Sequence, residues 1–585
     1  MLIRSLVLIT TLFFSPGAAV AGSLTGPILD AGLRVEIEDA MQLPATSPAP
    51  PRARVNVLRE APDESDRIFV NDLRGPLYVL DDTTLHLYLD LSAELPLKTS
   101  PNIGTGFASF ALHPDFESNG LFYTVHTEAV GAVSPNLGPA LPSPINQHSV
   151  LSEWWAVDPE ANEFVGTRRE LIRVAAISTN HNIGEIAFDP TTDCDDPDYG
   201  LLYIGSGDYG SVHAGEPDQL QRLDSVYGAV LRIDPLGDPF VRGGVLYDYG
   251  IPASNPFTGV PGALGEIFAF GFRNAHRLSW DRDGTLFVSD IGESQVEEVD
   301  LVMAGDNHGW PKREGSFAID VETNPRVVFP LPPQDPLPYR YPVAQYDHEE
   351  GRAIAGGFVY RGKAIPALRG RFVFGDIPTG RIFYADADAL VMADDDEPDT
   401  TAQIYELGLR RDGAPVTLLS LVRSATGPPN VYRTDLRFGV DEDGELYVTT
   451  KQDGFIRRLL RDTRPACSNE FDDDGDGFTD FPDDPGCRDA MSVKEDPRCQ
   501  DGRNNDRRRG TDFDGGESVL GVGRGDPRGP DPHCVGRPWR DREANWKRRH
   551  WRWRRILEHW KQRHDRRRHG VRDHSNVRNW RRYDR

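Results

Sequence analysis

Two loops carry residues suited to proton transfer. One reads Asn180-His181-Asn182-Ile183-Gly184, the other Gly205-Ser206-Gly207-Asp208-Tyr209-Gly210. A carboxylate bonded to one imidazole nitrogen fixes the tautomer and leaves the other nitrogen as a base. His181 and Asp208 are thus a candidate base and its orienting partner, with a purely structural hydrogen bond as the alternative. A different chemistry is written further on. Asp472, Asp474 and Asp476, then Gly477 and Asp480, set carboxylates at alternate positions beside a glycine for a sharp turn, the first half of a calcium loop. The bidentate Glu of a full EF-hand is absent, and a solvated acidic linker is the alternative. A second copy around Asn504 and Asp506 has Arg508 where a ligand should stand, which predicts a metal-free loop.

Cys467, Cys487, Cys499 and Cys534 flank these loops. Pairing Cys467 with Cys487 and Cys499 with Cys534 would staple each one, although four cysteines allow three connectivities. Cys194 is left over among Asp193, Asp195 and Asp196, whose charge disfavours a thiolate.

The elements that must hold the His181 and Asp208 loops are short strands. Between about residues 60 and 460 one pattern recurs: an apolar strand, an acidic or glycine turn, and a second apolar strand. Copies lie at 67–80, 110–124, 186–205, 278–289, 357–375 and 436–449. Alternating apolar residues about a tight turn are what a hairpin needs. Six hairpins predict an all-β fold, a six-bladed β-propeller, with a sandwich or barrel as the alternative. Function in such a fold sits in loops at one end of the channel.

Composition frames these motifs. The chain has 585 residues, 38% hydrophobic and 9% aromatic, with 57 Gly and 46 Pro, which excludes disorder throughout. A net charge of −26 argues against nucleic acid as a partner of the folded part. Arg4, the apolar run Leu6 to Phe14 and the small residues Ala19-Val20-Ala21 read as a cleaved signal peptide over 1–21. That run is too short to span about 30 Å of hydrocarbon. The expectation is a periplasmic or secreted protein.

Residues 22–463 are expected to form the propeller, 464–536 the Cys/Asp-rich calcium-repeat modules and 537–585 a basic tail. That tail has 19 Lys and Arg against 6 Asp and Glu, a local +13 that leaves −39 on the rest. Trp539, Trp546, Trp553 and Trp560 recur every seven residues and would share one face of a helix. An amphipathic anchor to an anionic surface, a disordered tail and a shifted reading frame are all open readings.

Larger motifs follow in order: Phe107 to Phe116, the Asn180-His181 loop, Gly228 to Asp234, Gly271-Phe272-Arg273-Asn274, Ser289 to Asp300, Asn307 to Pro311, and Ala355 to Gly362. This set resembles the soluble PQQ-dependent sugar dehydrogenases, the glucose/sorbosone dehydrogenase family of six-bladed propellers, over about 400 residues. The resemblance implies an exported oxidoreductase that oxidises an aldose or related alcohol by hydride transfer to PQQ and passes electrons to an external acceptor. It implies His181 as the base, Asp208 as its partner, and Arg273 and Asn274 as contacts to the cofactor. It further implies a Ca²⁺ held by backbone carbonyls of Gly292-Glu293. The loop with Asp472, Asp474, Asp476 and Asp480 resembles the short calcium repeats of bacterial exported proteins.

The chain also departs from the family. Gly104-Thr105-Gly106-Phe107 stands where the family has Glu or Gln shortly before a glycine-leucine run. The cationic clamp for the cofactor's carboxylates is reduced, with Arg433 alone in place of an Arg pair. Non-catalytic relatives with the same propeller, including the hedgehog-interacting proteins, are the alternative reading.

Overall fold

The computed structural model describes residues 24–539 apart from 82, 101–103, 140–143, 333–337, 429, 506–509, 515 and 518–523. The expected signal peptide, Arg508 and the basic tail beyond residue 539 lie outside the described residues. The chain divides into two compact units, Met1–Thr463 and Arg464–Arg585.

The first unit is built almost wholly of antiparallel strands. Phe107–Leu112, Leu121–Ala129, Gln147–Ala156 and Gly166–Ala176 make one four-stranded sheet. A second holds Ile183–Phe188, Leu202–Ser206, Ala229–Ile233 and Ile267–Phe270, and a third Ala275–Trp280, Leu286–Asp290, Val296–Leu301 and Ala344–Asp347. A thirteen-stranded sheet joins most of the other strands, and a two-stranded and a three-stranded sheet stand apart. In it, Arg34–Gln42 lies parallel to Tyr405–Arg411 and antiparallel to Phe455–Arg461, so an early strand completes a late sheet. Val55–Glu60 and Leu436–Val440 meet at a single parallel pair, Arg59 with Val440.

The hairpins follow from their turns. At Asp281 to Thr285 the backbone N–H of Asp281 donates to Thr285 O and that of Gly284 to Asp281 O. Gly284 has φ +86° and Gly444 in the matching turn +82°, values a side chain disfavours. Aromatic residues fill the space between neighbouring sheets. Phe69, Phe110, Phe116, Phe122 and Trp154 share one core, and Phe287, Phe372, Phe374 and Phe383 another. Such packing removes large apolar areas from water, at about 25 cal/mol per Å².

Val55–Glu60, Phe107–Leu112, Ile183–Phe188, Ala275–Trp280, Ile354–Val359 and Leu436–Val440 each send residues to the wall of one cavity of about 590 Å³. The sheets therefore stand around a channel. Loops that enter these strands, with His181 before Ile183 and Arg273-Asn274 before Ala275, sit at one end of it.

The second unit has no strand among its described residues. Disulfides join Cys467 to Cys487 and Cys499 to Cys534, and all four cysteines are buried. Cys194, in the first unit, is free and exposed. With little apolar core of its own, the second unit depends on these covalent links.

Candidate active site

His181 has φ +51°, a left-handed conformation uncommon for a residue with a side chain. Backbone bonds hold it there. Tyr209 N donates to His181 O at 3.1 Å, and Asp208 N donates to Arg273 O at 2.8 Å, so three segments are tied together. A side chain on Gly207 would come within 2.8 Å of both His181 Cβ and Asn274 Oδ1, which explains the glycine. The result is a 2.8 Å contact between His181 Nδ1 and Asp208 Oδ1.

The Asp208 side chain is 1% exposed and that of His181 18%. Burial works to raise the Asp208 pKa. The His181 charge and hydrogen bond, with Arg273 behind them, outweigh burial and hold the carboxyl below its usual range. An ionised Asp208 accepts the Nδ1–H hydrogen bond, which leaves Nε2 as the acceptor. Asp208 Oδ2, Asn182 Oδ1 and His276 Nε2 are buried polar atoms with no hydrogen-bond partner among the described residues.

Arg273 and Asn274 are fixed through their backbones. Both N–H groups donate to Asp290, at 2.9 and 2.5 Å. Burial, then the charge of Asp300, pushes the Asp290 carboxyl up to about 8. The Arg273 guanidinium donates through Nε to Glu293 at 2.9 Å and through an NH₂ group to Ile291 O at 2.8 Å, and it lies over Trp310. Glu293, read from the sequence through its backbone carbonyl, thus uses its side chain to pair with Arg273 and with His213 at 3.1 Å. Arg433 is half-exposed and donates to Asp435. Arg381 is bound by Glu350 and Glu406.

Four residues at or beside the channel wall went unread in the sequence, of which Arg277 lines the cavity itself. Arg277, Arg437 and Lys451 are buried at 8%, 6% and 4% exposure, and His276 adjoins them. Burial, then the charges of Arg277, Arg437, Lys451 and His181, holds the His276 imidazole well below its ordinary pKa, so it is neutral. The signal available was an arginine inside Ala275–Trp280 and inside the otherwise apolar Leu436–Val440, and a lysine directly after Leu446–Thr450. This donor set fits a multiply anionic ligand such as PQQ, with a base on one side and, on the other, Arg437 and Lys451 without ion pairs among the described residues and Arg277 only loosely paired with Glu185 at 3.8 Å.

In the second unit Asp472, Asp474 and Asp476 converge, with carboxylate oxygens within 4.8 Å of one another. Asp480 is elsewhere: its oxygens accept from the N–H groups of Asn469 and Glu470 at 2.9 and 2.8 Å. Asp484 and Glu495, distant in sequence, close on Asp474 instead. Burial with mutual repulsion pushes Asp474 up to about 7, Asp484 to about 6 and Glu495 to about 8.

A ring of strand sheets around a channel, with a histidine–carboxylate pair at its mouth, defines the class. The chain belongs to the Glucose / Sorbosone dehydrogenase family, whose sequence profile matches residues 57–419. It is similar to the HIPL2 protein of Arabidopsis thaliana, 25% identical over 463 residues, covering 70% of this chain and 62% of that protein. It is also similar to the hedgehog-interacting protein of Mus musculus, 25% identical over 328 residues, 54% of this chain and 40% of that one. The chain spans less than two thirds of the length of these curated relatives. A solved structure, the PQQ-bound form of aldose sugar dehydrogenase from Streptomyces coelicolor, aligns with 73% of this chain and 98% of its own at 19% identity and a TM-score of 0.45. Among the described residues no helix is long and apolar enough to cross a membrane.

Proposed function

We propose that this chain is an exported six-bladed propeller oxidoreductase that oxidises a hydroxyl of an aldose or related alcohol with PQQ. The observation that carries this reading is the 2.8 Å His181–Asp208 contact at the channel mouth, beside Arg273 and Asn274. Six blades are supported by the six strands that share the cavity wall.

When bound, PQQ supplies a quinone that takes up two electrons as hydride and hands them to an external acceptor. The chain's own residues do the rest. Asp208 keeps His181 in one tautomer, so Nε2 accepts the proton of the substrate hydroxyl. Arg273 and Asn274 would hold the cofactor, Arg273 supplying positive charge to oppose the negative charge that reduction creates. Half-exposed Arg433 would add one cation for the cofactor, and Gly292 and Glu293 would offer backbone oxygens to a Ca²⁺. In the second unit Asp472, Asp474 and Asp476 are the proposed ligands of another Ca²⁺, with Asp484 and Glu495 as additional oxygens. The Asp480 carboxylate serves the backbone.

One observation favours a second reading, a non-catalytic binding propeller. The Arg273 fork already has Glu293 and the Ile291 carbonyl as partners. Reconstitution with PQQ and Ca²⁺ separates the two readings. A saturable bound-cofactor spectrum with turnover on an aldose and polyol panel supports the enzyme. No bound spectrum at excess cofactor leaves the binding propeller.

A further inference from the structure

Buried charges need partners, and this fold elsewhere provides them. Arg457, at the core of a late sheet, has Asp39 at 2.8 Å and Asp453 at 2.5 Å. Arg173 has Glu128 at 2.8 Å and Glu170 at 2.7 Å. The channel breaks this habit. Arg437 donates Nε to Asn56 Oδ1 at 3.3 Å and an NH₂ group to Leu436 O at 2.6 Å, and it has no ion pair among the described residues. The Lys451 ammonium has neither a hydrogen bond nor an ion pair among them.

Nearby carboxylates are already committed. Asp435 accepts from Arg433 and, at 2.5 Å, from Gln452. Glu185 accepts from Arg59 at 2.6 Å and from Leu278 N at 3.0 Å, leaving Arg277 Nε at 3.8 Å. The cations also converge. Arg277 donates to Asn56 O at 3.2 Å, so two guanidinium groups from different sheets meet on one asparagine. The fold even leaves space for the Arg277 stem: a Cβ on Gly356 would lie 2.5 Å from its Cβ and Cγ. Burial and mutual repulsion lower the proton affinity of both Arg437 and Lys451, which an anion would reverse.

We propose that Arg277, Arg437 and Lys451, with neutral His276 alongside, form an anion chamber that binds a small molecule carrying several carboxylates. Forks from separate strands suit carboxylates held apart on one scaffold better than a single tetrahedral anion. Unpaired buried cations are also a stability cost retained for binding. This deepens the proposed function and rests on it only for the natural occupant, PQQ. The chamber lies outside the positions where the family resemblance places its cationic clamp.

The test uses the full-length cofactor-free protein and thermal melts at constant ionic strength. Tricarballylate and PQQ are the probes, with acetate and inorganic phosphate as controls. The chamber predicts saturable rises in Tm with both probes and none with the controls. It further predicts that Lys451→Met and Arg437→Met each raise the Tm of the ligand-free protein while weakening probe binding by about tenfold or more. Lys451→Arg, which keeps the charge, should retain the probe-induced shift. Unchanged probe binding in Lys451→Met and Arg437→Met, or a lower ligand-free Tm in both, would overturn the chamber. Tricarballylate binding without PQQ binding keeps the chamber and removes the cofactor reading. PQQ binding that ignores both substitutions does the reverse.

Discussion

The proton inventory at His181 determines what the channel mouth can do. Its Nδ1 hydrogen is engaged by a buried Asp208, so the exchangeable site is Nε2. Loss of a general base costs about two to four powers of ten in rate. His181→Ala is therefore expected to lower kcat by that much in steady-state assays with excess PQQ and Ca²⁺, with the fold intact by circular dichroism. Asp208→Asn should cost less, because it releases the tautomer and leaves the base. Asp208 also has a stability signature. Its folded pKa is depressed, so its contribution is present above the unfolded carboxyl pKa of about 3.9 and fades as pH falls through the folded value. The gap in denaturant midpoint between wild type and Asp208→Asn should be widest near neutrality and close on acidification. A gap that widens in acid would contradict the assignment.

Among the elements, the disulfide-closed acidic loop makes a prediction that its charges alone specify. Asp474 and Glu495 titrate at about 7 and about 8 when no cation is present. A carboxyl raised in this way is largely protonated below those values and must release its proton to bind a metal. Calcium binding to the full chain should release protons at pH 6.5 and tighten as pH rises to 8, read by calorimetry in buffers of different ionisation enthalpy. Asp474→Ala should abolish the site, whereas Asp480→Asn should disturb the backbone it caps and leave the metal ligands in place. Heats independent of buffer would sink this account.

The same loop shows what sequence can and cannot reveal. Alternating Asp472, Asp474 and Asp476 are local and legible. Asp484 and Glu495 join them only because the chain folds back, which no spacing rule announces. The hairpins were legible for the same local reason, since Asp281 to Thr285 and Asp441 to Glu445 each contain their own turn. His181 and Asp208 could be paired because their loops flank neighbouring strands. Arg437 and Lys451 stood out only as charges in or beside short strands, and their convergence was not legible. Which face of an innermost strand looks into a channel is settled only when the ring closes. Glu293 was read for its carbonyl, and its side chain's hold on Arg273 depends on two loops meeting.

At the scale of the whole first unit, closure is a strand-pairing problem. Arg34–Gln42 supplies an edge that would otherwise be open on Phe455–Arg461, and it buries Val35 and Ile37. Removing residues 24–42 should lower the Tm of the chain by several degrees and promote aggregation, checked by scanning calorimetry and light scattering. An unchanged melt would show that the strand adds nothing to the ring. The central claim concerns the reaction that the ring positions. The most direct measurement is anaerobic addition of aldoses to protein reconstituted with PQQ and Ca²⁺, following the bound-cofactor absorbance. The account predicts substrate-dependent reduction of the cofactor in wild type, and in His181→Ala a bound spectrum that substrate leaves almost unchanged. Equal rates of reduction in the two proteins, or no reduction by any aldose in wild type that has bound PQQ, would contradict it.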